Sequence, residues 1–352
     1  MKTKLIPACL LCVAALVQGA TYYGAETFTN EAYRFGRFEA RMWMAAGSGT
    51  VSSMFLYYNN SYLGSPEPWR EIDIEILGKN PSSFQSNLIT GNLAKKTTSE
   101  QVHAVTPATN AAYHDYAIEW TPDYIAWFVD GIEMRRSTGQ QVTDLQDQDQ
   151  NLRFNLWAST SASWVGAWSD TILPIQQYIS WVRVSSYTPG TGPNGSNFTQ
   201  LWQDDFDSFD DSRWGTGNWT FSGNRVTFDP GNVTATSGAM VLSMSKDAPA
   251  NFTGTVPFDN GITAIHKVTS PMLNFQMNIV GENLVLQLPA SFREDVSIQV
   301  QDIAGRQFTV APTMQATSSL TRQVNLSKLP KGVLLASVWS KGQLVGQCKI
   351  VH

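Results

Sequence analysis

The sequence predicts an all-β protein, and three observations lead to this class. Short segments alternate apolar and polar side chains, as in Leu152 to Trp157, which is the period of a strand with one buried face. Turn residues separate these segments, and the 352-residue chain contains 26 Gly. The composition is 42% hydrophobic and only 15% charged, which is typical of extracellular β-rich proteins. The length predicts about two domains.

The first twenty residues have the organisation of a secretory signal. A charged start, Met1 to Lys4, precedes an apolar run from Leu5 to Val17 that is too short to span a membrane. We therefore expect a signal peptide over residues 1–20, cleaved after Gly19 or Ala20. The mature protein would be secreted, extracellular or at the cell surface.

The cysteines, histidines and net charge exclude several classes of site. Cys9 and Cys12 lie in the signal, so Cys348 alone would remain and no disulfide could form within the mature chain. Lipid attachment at Cys9 or Cys12 is less favoured, because Pro7 and Ala8 make a poor acceptor sequence. The net charge of −5 without a basic stripe argues against nucleic acid. No metal-ligand spacing connects the four histidines, which are His103, His114, His266 and His352.

Composition also divides the chain into domains. Strand-like segments fill residues 21–256, interrupted by a Gly- and Pro-rich joint at 188–196. A second break, 257–272, predicts a linker. Residues 273–352 contain short alternating segments and no acid pair, which predicts a small, separate β-sandwich.

The most informative segment is a strand that carries three carboxylates. In Glu71 to Glu75 every second residue is acidic, so Glu71, Asp73 and Glu75 share one face of a strand and isoleucines share the other. Crowded carboxylates push their pKa values apart, and glycoside hydrolysis needs one ionised and one protonated acid. An exposed edge strand protected against aggregation is the alternative, but such edges usually mix Lys with acids.

The spacing of the acids constrains the sheet. Four residues span roughly 13 Å along a strand, whereas retaining glycosidases hold their two carboxyl groups about 5 to 5.5 Å apart. Glu71 and Glu75 must therefore lean toward each other across Asp73 on a bent, concave sheet. Asp73 could then share a hydrogen bond and tune one of them.

Amides and indoles accompany the acids. Gln85 and Asn87 share one face of a strand, as do Arg153, Asn155 and Trp157. Such side chains bind sugars by hydrogen bonding and stacking. Aromatic residues that fill the core are the alternative interpretation for any single Trp, although polar neighbours favour Trp157 and Trp164 as cleft residues.

These motifs resemble the bacterial lichenases, the 1,3-1,4-β-glucanases of glycoside hydrolase family 16. The resemblance lies in Gly49 to Phe55, in Glu71 to Lys79 without the extra residue that laminarinases usually carry, and in Arg153 to Trp157. The segment Phe206 to Trp214, which precedes the acidic strand in most lichenases, follows it here. The chain is therefore similar to a circularly permuted lichenase over residues 22 to 256.

The resemblance implies a concanavalin-like jelly-roll sandwich with a concave glucan cleft. Glu71 would be the nucleophile, Glu75 the acid/base and Asp73 the assisting carboxylate. A structural calcium would bind Asp205 and the carbonyls of Ser180 and Gly238, and no organic cofactor is implied. The substrate-binding residues would be Glu26, Phe55, Tyr57, Asn59, Trp69, Gln85, Asn87, Arg153, Asn155, Trp157, Trp164 and Trp219.

The C-terminal part resembles the sorting domain of the type IX secretion system. The matching segments are Asp302 to Arg306, Leu329 to Gly332 and Gln347 to Val351. This resemblance implies the secretion machinery as a partner. A carbohydrate-binding module is the alternative, but Trp339 is the only Trp in the tail.

Three functions remain after this reasoning. The leading one is a secreted, monomeric endo-β-glucanase that cleaves mixed-linkage glucan with retention. A laminarinase or xyloglucan-active enzyme on the same scaffold is the second. A glucan-binding lectin without catalysis is the third, and the intact acid triplet argues against it.

Overall fold

The structure is a computed structural model that describes residues 21–257, 259, 276–280, 283–287, 297–302, 307–309, 321–327, 329, 333–340 and 343–351. The predicted signal peptide and most of the predicted linker lie outside these residues. The all-β class is confirmed, because strands make up most of the described chain and the two α-helices are short, α1 Gln140–Asp144 and α2 Ala162–Val165. No helix in the described part is long and apolar enough to cross a membrane.

The strands of the first domain run in chain order from β1 to β17. They are β1 Tyr22–Tyr33, β2 Gly36–Trp43, β3 Thr50–Tyr57, β4 Glu71–Leu77, β5 Ser83–Asn92, β6 Lys95–Thr98, β7 Gln101–Ala104, β8 His114–Trp120, β9 Ile125–Val129, β10 Ile132–Ser137, β11 Gln150–Ala158, β12 Ile175–Tyr187, β13 Phe198–Asp204, β14 Trp214–Thr216, β15 Thr227–Phe228, β16 Val233–Thr236 and β17 Ala239–Lys246. Short 3-10 turns lie at Ser61–Leu63, Leu145–Asp147, Asp170–Ile172, Pro193–Gly195 and Pro230–Asn232.

One sheet carries the candidate site. Antiparallel pairing places its strands in the order β14, β1, β11, β3, β4, β5, and β5 then pairs with both β6 and β7. Each strand alternates, so one face of this sheet points to the core and the other to the cleft. On β11, Leu152, Phe154 and Leu156 are completely buried, as the alternating pattern predicts.

The second sheet covers the apolar face of the first. It runs β10, β9, β8, β2, β12, and β12 pairs with β17 along its first half and with β13 along its second. Large side chains from this sheet fill the space between the two layers, among them Phe38, Tyr116, Trp120 and Trp127, all fully buried. The result is a two-layer jelly-roll sandwich with one face left open.

The first and last strands of this domain lie side by side. Tyr22 of β1 pairs with Lys246 of β17, and the Asp247 N–H donates to the Thr21 carbonyl at 2.7 Å. The Gly- and Pro-rich joint connects two strand ends that are also paired, Tyr187 with Phe198. The joint therefore links two neighbouring antiparallel strands, and the two ends of the domain also lie on neighbouring antiparallel strands.

Contacts of this domain continue past residue 256. The buried Arg41 guanidinium donates to both oxygens of Asp259 and also to Asp115 at 3.0 Å. The Tyr113 hydroxyl donates to the Pro257 carbonyl at 3.3 Å. A removal of the tail that spares this domain should therefore leave residue 259 in place.

The described part of the tail consists of two antiparallel sheets. They contain β18 Gln276–Val280, β19 Asn283–Gln287, β20 Ser297–Asp302, β21 Gln307–Thr309, β22 Thr321–Asn325, β23 Val333–Ser340 and β24 Gln343–Val351. Their orders are β18-β19-β22 and β21-β20-β23-β24. Alternate residues such as Leu284, Leu286 and Val300 are fully buried, as expected for a small β-sandwich.

Candidate active site

The three acids lie side by side in the cleft on β4. Ile72, Ile74 and Ile76 point to the core with no exposed surface, and the acids take the opposite face. Asp73 is buried, whereas Glu71 and Glu75 are partly exposed. This is the arrangement that the alternating sequence predicts, so the edge-strand alternative is wrong: β4 has a hydrogen-bonded neighbour on both sides.

Burial and crowding shift the pKa values of the three acids. Burial raises the pKa of Asp73 well above its usual range, and the charges of Glu71 and Glu75 on either side raise it further. Burial also raises the pKa of Glu75 to about 8, with added contributions from the negative charges of Glu71 and Glu100. The hydrogen bond between Asp73 and Glu71 raises the pKa of Asp73 and lowers that of Glu71, which favours the proton on Asp73.

Glu71 differs from Glu75 in its surroundings. Burial raises its pKa too, but the Trp69 N–H, the positive charges of Lys96 and Arg153 and the hydrogen bond with Asp73 all oppose this increase. The Trp69 Nε1 donates to Glu71 Oε2 at 2.6 Å. Glu71 is thus the acid of the row whose ionised form is most stabilised, whereas the charged groups that shift the pKa of Glu75 are both acids.

One side of the acid row is formed by β5 and the hairpin beyond it. Gln85 lies opposite Glu75 and Asn87 lies opposite Asp73. The Gln85 amide accepts from Trp164 Nε1 at 2.9 Å and donates to Glu100 at 2.9 Å. These contacts fix the amide beside Glu75.

The other side is formed by β3, β11 and β1. Arg153 donates to Glu26 and, at 2.6 Å, to the Asn59 side chain. Asn155 donates to Glu26 at 3.4 Å and accepts from the Ser53 hydroxyl. Burial raises the pKa of Glu26, and the adjacent Arg153 charge opposes this. This network orients polar groups along the floor of the cleft.

Aromatic rings form the walls of the cleft. Phe55 and Tyr57 follow one another along β3, with ring centroids 6.4 Å apart. Trp157 lies 5.8 Å from Trp164, so the two indoles form one wall. Trp219 is 37% exposed, and its ring lies 5.7 Å from that of Phe28 on β1. Tyr57, Trp157, Trp164 and Trp219 keep exposed surface that a ligand can contact, whereas Phe55 is only 8% exposed. The structure thus brings together the twelve predicted substrate residues and the three acids.

Sequence reasoning missed several cleft residues. Lys96 and Glu100 come from the β5–β6 hairpin and the turn after it, and Ser53 comes from β3 opposite Glu75. Phe221 is 41% exposed and lies 5.0 Å from Trp157. In the sequence, the polar run from Lys95 to Glu100 is typical of a solvated turn. Only the pairing of β6 with β5 shows that this run borders the acids.

Two of the three predicted calcium ligands, Asp205 and Gly238, lie close together. Ser180 lies in β12 at a bulge in the pairing of β12 with β2. On its other edge, β12 pairs with β17 before Ser180 and with β13 after it. Asp205 directly follows β13 and Gly238 directly precedes β17. A Cβ on Gly238 would lie 3.9 Å from the Asp205 carbonyl oxygen, and φ of Gly238 is 72°. A carboxylate and backbone carbonyls are the oxygen donors that Ca²⁺ prefers, and the exposed Asp205 carboxylate accepts a hydrogen bond from the Gln203 amide at 2.7 Å.

Groups of three His, Cys, Asp or Glu side chains with metal-binding geometry do not occur among the described residues. In the acid row of the cleft, the charge of Glu71 raises the pKa values of both Asp73 and Glu75. Its positive neighbours are Lys96 and Arg153.

Comparison with known proteins gives the family. The model of glycosyl hydrolases family 16 matches residues 13–183. A beta-glucanase of Fibrobacter succinogenes is 50% identical over 255 residues, which is 72% of this chain and 73% of that protein. A beta-glucanase of Bacillus subtilis is 34% identical over 154 residues, 44% of this chain and 59% of that protein.

Other matches cover smaller shares. A xylanase/beta-glucanase of Ruminococcus flavefaciens is 36% identical over 177 residues, and this chain spans 21% of its length. The solved structure of a Bacillus licheniformis beta-glucanase aligns with a TM-score of 0.40 and 30% identity, over 45% of this chain and 70% of that one. Because half of the residues are identical to the Fibrobacter protein over most of both lengths, the chain belongs to glycosyl hydrolase family 16.

Proposed function

We propose that this protein is a secreted endo-1,3-1,4-β-glucanase, a lichenase that hydrolyses mixed-linkage β-glucan with retention of configuration. One observation carries the proposal. Glu71 and Glu75 lie on one strand face but have different charged surroundings: an N–H donor and two cations lower the pKa of Glu71, whereas the charged groups that shift the pKa of Glu75 are both acids. Such a pair of environments separates a nucleophile from a general acid.

The reaction follows from these environments. The ionised Glu71 attacks the anomeric carbon, while Glu75 gives its proton to the departing glycosidic oxygen as the C–O bond breaks. Glu75, now ionised, removes a proton from water, and that water attacks the anomeric carbon and releases Glu71. Asp73 donates its hydrogen bond to Glu71 and so steadies the carboxylate between the two steps.

The remaining cleft residues hold the glucan. Amides and acids of the floor, such as Asn59, Asn155 and Glu26, offer hydrogen bonds to sugar hydroxyls. The rings of Tyr57, Trp157 and the other wall aromatics offer stacking surfaces. The names of the relatives support a β-glucanase, and the acidic motif without an inserted residue supports mixed-linkage specificity.

The test compares three polysaccharides. Purified protein is incubated with lichenan, laminarin and xyloglucan, and reducing ends are counted. Glu71→Gln, which keeps the side-chain volume, serves as the matched inactive control. We expect release mainly from lichenan, none with the control, and a first product of β configuration by NMR. Release mainly from laminarin or xyloglucan would overturn the specificity, and α product would overturn retention. Binding without release would favour the lectin.

We further propose that the domain is circularly permuted. The family model stops at residue 183, just before the joint, whereas the match to the Fibrobacter protein is longer than that segment. Tyr22 lies beside Lys246, and Tyr187 lies beside Phe198. A short segment could therefore join either pair of strand ends, so the chain could begin and end at either place. Permutation is tolerated when natural termini lie close together.

Four further properties belong to the same proposal. Ser180, Asp205 and Gly238 would hold a structural calcium away from the cleft. The domains would be a signal at 1–20, a catalytic domain at 21–256, a linker at 257–272 and a sorting-type tail at 273–352. The protein would act as a monomer, and the tail would bring it to the secretion machinery.

A further inference from the structure

A lysine covers the tryptophan that holds the nucleophile. The Lys96 Nζ lies 3.0 Å from the centre of the Trp69 ring, which is the geometry of a cation–π contact. Both residues are anchored to Gly91. Lys96 pairs with Gly91 across the β5–β6 hairpin, and the backbone N–H of Trp69 donates to the Gly91 carbonyl at 2.9 Å.

Gly91 makes this approach possible. Its φ is 93°, a conformation that glycine adopts without strain. A Cβ at this position would lie 2.3 Å from the Lys95 carbonyl oxygen, so another residue would push the hairpin away. The position of Lys96 over the indole is therefore built into the backbone.

Trp69 is engaged on three sides. Its Nε1 donates to Glu71, Lys96 covers one ring face, and Tyr57 meets the ring edge-on at a centroid distance of 5.6 Å. A sugar cannot stack on the face that the ammonium group occupies. Trp69 therefore serves to hold Glu71, and its predicted role as a stacking surface is restricted to the remaining face.

We propose that Lys96 is a positioning residue for the nucleophile: its ammonium group fixes the Trp69 indole, whose N–H fixes the Glu71 carboxylate. This inference rests on the role proposed above for Glu71. A cation on the ring face draws electron density from the indole and makes its N–H a stronger donor. The carboxylate then stays ionised and oriented toward the anomeric carbon.

Several other charged or titratable groups share this part of the cleft. They are Asp73 and Glu75 on β4, Tyr57 on β3, Glu26 on β1, Arg153 on β11 and Glu100 after β6. Arg153 is committed to Glu26 and Asn59. The Lys96 ammonium group therefore acts on Glu71 through the Trp69 indole, which is a different contact from those of Arg153.

The test replaces Lys96 by Met, which keeps the stem and removes the charge. Lys95→Met is the matched control, because neighbouring strand residues point to opposite faces. We expect kcat on lichenan to fall roughly three- to thirty-fold, the range of a cation–π contact. The acid limb of the kcat/KM profile should move to higher pH, because an ionised Glu71 becomes harder to maintain. The melting temperature should not change, since Lys96 is exposed.

Two further variants make the result specific. Lys96→Arg should restore most of the activity, since a guanidinium also binds an indole face. In a Trp69→Phe background, which lacks the N–H, Lys96→Met should cost less than it does in the wild type. An unchanged acid limb in Lys96→Met would overturn the inference, as would a rise in KM alone, which would indicate direct substrate binding.

Failure of this inference is distinguishable from failure of the proposed function. If Glu71→Gln keeps activity, Glu71 is not the nucleophile and the proposed mechanism fails. If Glu71→Gln is inactive and Lys96→Met has the wild-type pH profile, the mechanism stands and only the role of Lys96 is refuted.

Discussion

Replacing Glu75 with Gln should stabilise the protein at alkaline pH while it removes the general acid. The pKa of Glu75 is raised to about 8 from its ordinary value of 4.5, chiefly by burial. At pH 7 about ten molecules then hold the proton for each that has lost it. The neutral amide imitates the protonated acid and cannot ionise.

The sign of the effect follows from the raised pKa. The stabilising contribution of the protonated carboxyl is fully present below pH 4.5 and is lost as the pH rises toward 8. A pKa difference of about 3.5 corresponds to at most about 5 kcal/mol. Because the three acids titrate together and water reaches the cleft, we expect about 1 to 2 kcal/mol at pH 9. That corresponds to about 2 to 8 °C in melting temperature for a domain of this size.

The assay is thermal unfolding of both proteins between pH 5 and pH 9. Glu133→Gln is the control, because Glu133 pairs with Arg136 on the surface and away from the cleft. The difference between the Glu75 variant and wild type should grow with pH, whereas the control should differ little at any pH. Parallel curves for Glu75→Gln and wild type would refute the assigned burial and crowding of Glu75.

Activity gives an independent reading of the same group. Glu75→Gln should lose most activity on lichenan but much less on aryl glucosides, whose leaving group needs no proton. In the wild type, kcat/KM should fall above about pH 8, where Glu75 ionises. An equal loss on both kinds of substrate would argue against the acid role.

Three other predictions test the remaining assignments. Glu71→Gln should abolish hydrolysis of lichenan and keep glucan binding, since removal of a covalent nucleophile costs several kcal/mol; near-wild-type turnover would contradict it. Calcium should raise the melting temperature of wild type by mass action, and Asp205→Ala should lose this increase while keeping activity; an equal increase in both would place the ion elsewhere. A chain that ends after Asp259 should fold and cleave lichenan with unchanged specificity, and in the native host it should remain in the periplasm. Truncated enzyme in the medium would refute the sorting role of the tail. Weaker binding of the truncated enzyme to insoluble glucan would favour a carbohydrate-binding module.

The acid row could be predicted because the side-chain period of a strand is fixed by its geometry. Glu71, Asp73 and Glu75 had to share a face once the intervening isoleucines were assigned to the core. The same rule placed Gln85 with Asn87. The required concave cleft then followed from the distance that glycosidase carboxyls keep, and the structure places polar groups and aromatic rings on both sides of the row.

Contacts between distant strands could not be predicted from periodicity. Asn155 and Glu26 are 129 positions apart, and only the register of β1 with β11 brings them together. Lys96 and Glu100 lie in a polar hairpin that resembles any exposed turn. The pairing of Arg41 with Asp259 crosses the composition break that marked the predicted domain end. Such contacts depend on loop paths, which local sequence does not encode.

The cleft depends on a division of labour within β4. Its three isoleucines are completely buried, and each contributes about 1.5 to 3 kcal/mol through the hydrophobic effect. The acids on the opposite face oppose folding as they ionise, because burial raises the pKa values of all three and the charge of Glu71 raises those of Asp73 and Glu75 further. The free energy gained by burying the isoleucines therefore offsets the cost of crowding the acids that the proposed catalysis requires. A reversal of the alternation by one residue would expose the isoleucines and bury the acids, so the register of β4 determines both stability and chemistry.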